Sequence, residues 1–371
     1  MIGRNTAFTY KGKAVDLKQI GRVLNVRYVL EGRVQRSGNR MRVNVQLIEA
    51  ETGAHLWAEC FDKPVADLFD MQDDIISRLA NQLQTELTEA EAKRAERSAN
   101  PDSMDHYFLG LSHFNRGQTV DILSTARSHF ERALEIDPGN VDALILRGSA
   151  DATVVSTWLS DDRDASLRSA EADLLKALKL RPDHPLAHTV FGFICIITKR
   201  LERGVSECAR ALAIDRNLAL AHYFIGMAKY LMGRNEETEA HVLEAFRLSP
   251  RDRYAGVWTQ IVGFAKLSAG HDEEANGWLR RSIEVNPNIP MSHFLSAAAF
   301  AHLGRLEEAR DASRAGLELN PSFTIARFRS MAYSDNPVYL AGRERMYEGM
   351  CMAGVPESTL RERVRGSSRV D

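Results

Sequence analysis

His184 and His188 stand four residues apart at the start of a predicted helix. At that spacing two imidazoles share one helix face and can hold a metal ion. No carboxylate or cysteine lies beside them at ligand spacing, so surface and packing roles account for them better. Paired carboxylates occur at Glu236-Glu237 and Glu307-Glu308. Each pair follows a predicted turn, where negative charge complements the dipole of a starting helix, and catalysis is not needed to explain it. Four cysteines, Cys60, Cys195, Cys208 and Cys351, are widely separated and form no CxxC pair. They read as free thiols packed as small apolar residues in a reducing cytoplasm. The phosphate-cradling GxxxxGKS/T loop, HExxH, GxSxG and Gly-rich dinucleotide patterns are absent. The expectation is therefore no catalytic residue, no cofactor and no bound metal.

One electrostatic feature remains. Up to Val45, ten basic residues (Arg4, Lys11, Lys13, Lys18, Arg22, Arg27, Arg33, Arg36, Arg40, Arg42) face only Asp16 and Glu31, a local charge of +8. A basic hairpin can meet nucleic acid or an anionic partner. Aromatic residues interleave poorly with these cations, however, and the acidic stretch Asp62 to Asp74 can neutralise them within the same module. The net charge of −2 and pI near 6.6 also argue against a protein that coats nucleic acid. The sequence has no run of about 18 apolar residues and no apolar core in its first twenty residues, so neither a membrane span nor a secretory signal is expected, and a cytoplasmic location is.

The elements that would position these groups fall into two kinds. Near the start, Arg27 to Gln35 and Met41 to Leu47 alternate apolar and polar residues, with Met41, Val43, Val45 and Leu47 on one face. That period of two predicts half-buried strands joined by a turn at Ser37-Gly38-Asn39. A third short strand is expected near His55 to Phe61, a helix over Val15 to Leu24, and a first strand at Met1-Ile2. Such a sheet is thinly covered on one face, and a bare apolar face promotes self-association. From Val65 to about Ser98, Leu68, Met71, Ile75, Leu79, Leu83 and Leu87 predict one long amphipathic helix, closing in a linker at Asn100-Pro101.

Beyond it a single phrase recurs six times: ALEIDP to Pro138, ALKLRP to Pro182, ALAIDR to Arg216, AFRLSP to Pro250, SIEVNP to Pro287 and GLELNP to Pro321. The spacings are 44, 34, 34, 37 and 34. A period of 34 with small residues and a terminal proline is the tetratricopeptide repeat (TPR) signature. Gly192, Gly226 and Gly263 take the small position of the first helix of a pair, and Gly233, Gly270 and Gly304 the turn between helices. Ala170, Ala275 and Ala309 take the contact position of the second helix, with Ala133, Ala177, Ala211 and Ala245 further along. The first repeat is expected to have a lengthened turn. The second carries about ten extra residues around Ser156 to Asp162, and helices near Phe323–Tyr333 and Val338–Met352 are expected to cap the last repeat. In such superhelices the first helices line the concave face. Candidate groove positions are Thr189, Phe193 and Ile196, then Tyr223, Met227 and Tyr230, then Gln260, Phe264 and Leu267. These apolar and aromatic side chains fit an amphipathic helix or apolar peptide rather than a terminal carboxylate. The competing reading is core between successive repeats, or a face covered by the chain's own N-terminal region.

The stretch RNTAFTYKGKAVDLKQIGRVLNVRYVLEGRVQRSGNRMRVNVQLIEAETGAHLWAECFD, residues 4–62, closely resembles the second half of the TolB-amino-terminal-like (FlgO-like) domain of bacterial multidomain regulators, and DLFDMQDDIISRLANQL looks like its usual continuation. In that family a half-domain precedes this stretch. Upstream of it lies either a class III adenylate cyclase domain or a winged-helix DNA-binding domain of the CadC/HilA type, and a TPR array follows. RSANPDSMDHYFLGLSHFNRG and NPVYLAGRERMYEGMCMAGVPES resemble the cyclase-associated version. The metal-binding aspartates and polar residues of a class III cyclase have no counterpart here, so nothing catalytic carries over.

The expected fold is mainly α: a TPR-type α-α superhelical solenoid preceded by a small truncated α/β (TolB-like) domain. The expected divisions are a truncated module at 1–63, an amphipathic helix and linker at 64–103, about six repeats at 104–321, and capping helices with a tail at 322–371. The resemblance implies a non-catalytic regulatory and interaction region of an adenylate cyclase-type signalling protein. The alternative is the effector or sensor half of a CadC/HilA-like transcriptional regulator. Either would bind a protein or peptide in the TPR groove, chiefly at Thr189, Phe193, Tyr223, Met227, Tyr230, Gln260 and Phe264.

Overall fold

Asp16 accepts a hydrogen bond from the Lys18 backbone N–H and starts α1 (Leu17–Leu24). The helix ends where Asn25 turns left-handed at φ 50°. The computed structural model describes residues 10, 16–64, 86–117, 119–157, 162–250, 252 and 254–358 of the chain. The expected strand at Met1-Ile2 and most of the expected helix at 65–98 lie outside the described residues; residues 86–96 of the latter are helical. The chain divides into two compact units, 1–116 and 117–371.

In the first unit, β1 (Tyr28–Ser37), β2 (Arg40–Glu49) and β3 (His55–Pro64) form an antiparallel meander in the order β1-β2-β3. Ser37 pairs with Arg40 around the expected turn, where Gly38 takes φ 58°. The β2 register sets Val43 beside Val34 and Phe61, and Leu47 beside Trp57. Val45 and Phe61 form a small core with Met41, Val43 and Trp57. The basic hairpin is paired in part at close range: Asp62 accepts from Arg40 at 2.9 Å and from Arg42 at 2.7 Å. Glu91, on the 86–96 helix, accepts from Arg27 at 2.8 Å and from Arg94 at 2.8 Å. Ala92 and Ala95 pack with Leu109 of α2 (Ser103–Arg116), and Arg94 reaches Asp105 at 2.6 Å.

The second unit is helical throughout its described elements. It opens with α3 (Val120–Ile136) and continues in antiparallel pairs: α4 (Val141–Ser156) with α5 (Arg163–Leu180), α6 (Pro185–Ile197) with α7 (Leu201–Ile214), and α8 (Ala219–Leu231) with α9 (Asn235–Leu248). Then come α10 (Ala255–Ser268) with α11 (Asp272–Val285), α12 (Pro290–His302) with α13 (Leu306–Leu319), and finally α14 (Ile325–Arg329) and α15 (Pro337–Met352). Each second helix also packs on the first helix of the next pair. All six recurrent phrases end helices, at Ile136, Leu180, Ile214, Leu248, Val285 and Leu319.

Three details differ from the sequence expectation, one being that the helix expected near Phe323–Tyr333 is confined to the five residues Ile325–Arg329. α2 ends at Arg116 and α3 begins at Val120, the same interval as from Ile197 to Leu201, so that turn is not lengthened. The additional length lies in α3 itself, with 17 residues against 14 in α7, α9, α11 and α13. In the next pair the extra residues are likewise spread over longer helices, 16 in α4 and 18 in α5, as well as their connection.

Candidate functional site: the inner face of the helix pairs

Close approach within each pair depends on the small positions. A Cβ on Gly192 would stand 2.6 Å from Cys208 Sγ and 2.9 Å from the Gly204 carbonyl. One on Gly263 would stand 2.6 Å from Leu279 Cδ2. Ala133, Ala170, Ala177, Ala211, Ala245, Ala275 and Ala309 are fully buried. With second helices drawn in this tightly, the first helices are packed on several sides at once, and their polar groups need partners.

Most of the candidate groove positions are buried. Thr189 is fully buried and donates to the Pro185 carbonyl one turn back at 3.0 Å. Phe193 stacks on Phe224 with centroids 4.5 Å apart and planes at 7°. Tyr223 lies against Phe224 and Trp258, and Trp258 meets Phe246 edge-on, so an aromatic ladder links successive pairs. Ile196 and Leu267 are fully buried. Gln260 donates to Ser292 Oγ at 2.8 Å, and Ser292 and Ser282 share a hydrogen bond of 2.7 Å between pairs. Met227 and Phe264 are half-buried.

Tyr230 and Phe264 belong to a second ladder, which joins the repeats to the C-terminal segment. Tyr230 meets Tyr339 edge-on at 5.3 Å and Phe264 at 5.7 Å. Phe264 meets Phe328, Phe328 meets Phe323 and Tyr347, and Phe323 stacks on Phe294 at 4.0 Å. Along this ladder Phe323, α14 and α15 cover the repeats.

At the centre of this segment Arg343 is only 3% exposed. It donates to Tyr347 Oη at 2.6 Å, to Tyr339 Oη at 3.4 Å and to the Phe328 carbonyl, and its guanidinium lies 3.8 Å from the Phe328 ring centroid. Desolvation opposes the Arg343 charge, and the tyrosine hydroxyls around it more than offset that, so its pKa stands above the usual arginine value. Two hydroxyls of the repeats beneath the segment, Tyr230 Oη and Ser268 Oγ, are buried without a hydrogen-bond partner. Leaving such a group unpaired costs about 1–3 kcal/mol. Sequence reading did not single out Tyr339, Arg343 and Tyr347. Their four-residue spacing places two rings and a cation on one helix face and was the available signal.

The two histidines are held by separate partners. His184 caps α6, accepting from the Ala187 N–H at 3.3 Å, and its Nε2 faces Asp142 at 3.3 Å. His188 contacts Glu207 at 2.7 Å and the Pro182 carbonyl at 2.8 Å. Glu237 pairs with Lys229 at 2.5 Å and Glu308 with Arg305 at 2.5 Å, both in first helical turns. No helix among the described residues is long and apolar enough to cross a membrane.

No family model matches the chain. Over 144 residues, 38% of the chain, the sequence is 40% identical to "Putative adenylate cyclase 3" of Rhizobium meliloti (strain 1021), covering 24% of that protein. Over 183 residues, 49% of the chain, it is 22% identical to "Tetratricopeptide repeat protein 6" of Homo sapiens, covering 33% of it. The chain thus spans about a quarter and a third of these relatives. Among solved structures it is similar to the crystal structure of the APC/C hetero-tetramer Cut9-Hcn1, with a TM-score of 0.56 at 14% identity over 70% of this chain and 48% of that one. At that identity the likeness concerns the fold alone. The chain is a mainly α, TPR-type helical solenoid preceded by a small antiparallel sheet.

Proposed function

We propose that this chain is a non-catalytic protein-interaction scaffold, the regulatory portion of an adenylate cyclase-type signalling protein, with the inner helix face as its partner-binding surface. The observation that carries the reading is the stack of helix pairs itself, on whose first helices Met227 and Phe264 stay half-buried while Phe193, Tyr223 and Tyr230 are packed within the molecule. TPR-type stacks present their inner faces to polypeptides. The 40% identity over 144 residues to a protein named as an adenylate cyclase supplies the signalling context. Arg27 pairs with Glu91, and Arg40 and Arg42 share Asp62, and these acidic neighbours weigh toward a protein partner over nucleic acid.

Two measurements test this. Purified chain incubated with ATP and Mg²⁺ or Mn²⁺ is expected to form no cyclic AMP above a blank, and turnover would overturn the non-catalytic reading. Helical peptides selected by display against the full chain are expected to be rich in aromatic and apolar residues and to lose binding to the half-buried position variants Met227→Asp and Phe264→Ala. Selected peptides indifferent to both substitutions would place the partner surface elsewhere.

A further inference from the structure

A cap on a repeat array need only shield the last pair, here α12 and α13. The C-terminal segment does more: it returns to the α4 end of the array at Tyr333, and α15 then runs along the pairs in the direction of the repeats. Gly349 lies on the Ala298 carbonyl of α12, and His302 Nε2 meets the Arg345 carbonyl at 2.8 Å. Gly342 lies directly on Ser268 at the end of α10. Tyr339 covers Tyr230 of α8, and Asn336 and Val338 cover Gly233 in the α8–α9 turn. Asp335 pairs with Lys199 in the α6–α7 turn at 2.7 Å, and Tyr333 Oη reaches the Ser156 carbonyl of α4 at 3.4 Å. Five successive helix pairs are bridged by one strap.

Three features mark this strap as exchangeable. First, its polar knot is self-contained: the bonds of Arg343 go to Phe328, Tyr339 and Tyr347, all within the strap. Second, the strap buries Tyr230 Oη and Ser268 Oγ without giving either a partner, so the repeats gain hydrogen bonds when it leaves. Third, the ion pair at the far end is solvent-exposed and borders open space. Lys199 and Asp335 are 46% and 79% exposed, and a cleft of about 330 Å³ opens between strap and repeats beside Lys199, Glu202, Arg234, Ser334, Asp335 and Asn336. The firm polar attachment is Arg345, which donates to both Asp272 oxygens at 2.7 and 2.6 Å and to the Leu267 carbonyl at 2.9 Å.

We propose that residues 324–352 are an autoinhibitory strap occupying in cis the shelf where a partner helix docks. The inference rests on the scaffold reading above and deepens it by naming the chemistry of the partner. The shelf offers the Tyr230 and Phe264 rings, two hydroxyls lacking partners, and an acceptor pair at Asp272 and Leu267. It therefore takes a helix carrying an aromatic residue and, six positions further on, an arginine, as Tyr339 and Arg345 do.

The test uses the full chain and a fluorescent peptide of residues 323–353 as probe, followed by anisotropy. Gly342→Leu wedges the strap off Ser268, and Arg345→Ala removes the fork on Asp272. Each is expected to raise probe affinity about tenfold or more over the unsubstituted chain, because a closed strap lowers apparent affinity by the fraction of chain that is open. Hydrogen exchange is expected to rise over residues 333–352 and to stay unchanged in α7. Adding Asp272→Asn and Tyr230→Ala to either variant is expected to abolish the gain. If neither variant binds the probe more tightly, or both lose the helical array itself, the segment is a permanent cap and the proposal falls. If the opened chain takes the probe but no foreign helix, the scaffold reading fails and the autoinhibitory role with it, whereas foreign helices that bind equally well with the strap closed overturn the strap inference alone.

Discussion

Gly192 and Gly204 approach each other so closely that a Cβ on either would meet the other's carbonyl at 2.9 Å. A pair of helices at that distance excludes water from whatever titratable groups lie along its seam. The next pair, α8 and α9, has its own close approach, where a Cβ on Gly226 would stand 3.2 Å from His241 Cβ, and along it His222 and His241 lie with ring centroids 6.0 Å apart. Burial lowers both pKa values from the ordinary 6.5; for His222, Glu244 opposes the shift and Arg247 adds to it, and for His241 the neighbouring His222 and Lys229 add to it while Glu237 opposes. As pH falls through 6.5 the unfolded chain takes up protons that the folded chain refuses. The stability these histidines contribute is therefore complete above 6.5 and lost as pH falls toward their lower folded values. The urea midpoint of the helical array is expected to drop between pH 7.5 and pH 5.5. His222→Gln/His241→Gln should flatten that drop, and an unchanged slope in the double variant would assign the acid sensitivity elsewhere. Gly192 was legible from the repeat pattern; Gly204 and the histidine seam were not, because they depend on which face of the second helix turns inward.

At the scale of the element, the helix pairs follow their sequence closely. The six phrases mark helix ends because small residues, aliphatic pairs and a terminal proline act locally. The turns inside the pairs share one construction: Gly233, Gly270 and Gly304 take φ values of 74°, 83° and 75°. The α6–α7 turn places Lys199 in the same position at φ 63°, with the same backbone bonds from residues 199 and 200 to Ile196 and Cys195. A side chain in the left-handed region costs about 1–2 kcal/mol. Its ion pair with Asp335 is solvent-exposed and returns about 0–1 kcal/mol. Lys199→Gly should accordingly stabilise the array by about 0.5–1 kcal/mol, read as a higher urea midpoint with unchanged slope. A lower midpoint would mean that the far end of the strap holds more firmly than its exposure indicates. The meander was legible from its period of two and its turn at Gly38. The cover given by Glu91 to Arg27 was not, since it joins residues 64 apart in sequence.

Across the helical unit, the repeat signature implies a chain whose parts touch only their neighbours, with stability a sum of local terms. The strap breaks that rule. Ser156 and Tyr333 are 177 residues apart, Lys199 and Asp335 136, and Leu267 and Arg345 78, yet each pair is bonded. This return path is hidden from periodicity because α14 and α15 carry no repeat of their own, and a buried arginine reads in sequence as a surface residue. Joining distant pairs converts an array that frays from its ends into one that opens as a unit. In the unsubstituted chain, hydrogen exchange should give α8, α10 and α12 similar protection, and urea unfolding a single steep transition. With the strap wedged off by Gly342→Leu, α12 and α13 should lose protection first, α8 should retain it, and the denaturant slope of the main transition should fall. If protection declined uniformly and the slope held, the helix pairs would be coupled through their own interfaces, and the strap would contribute cover without cooperativity.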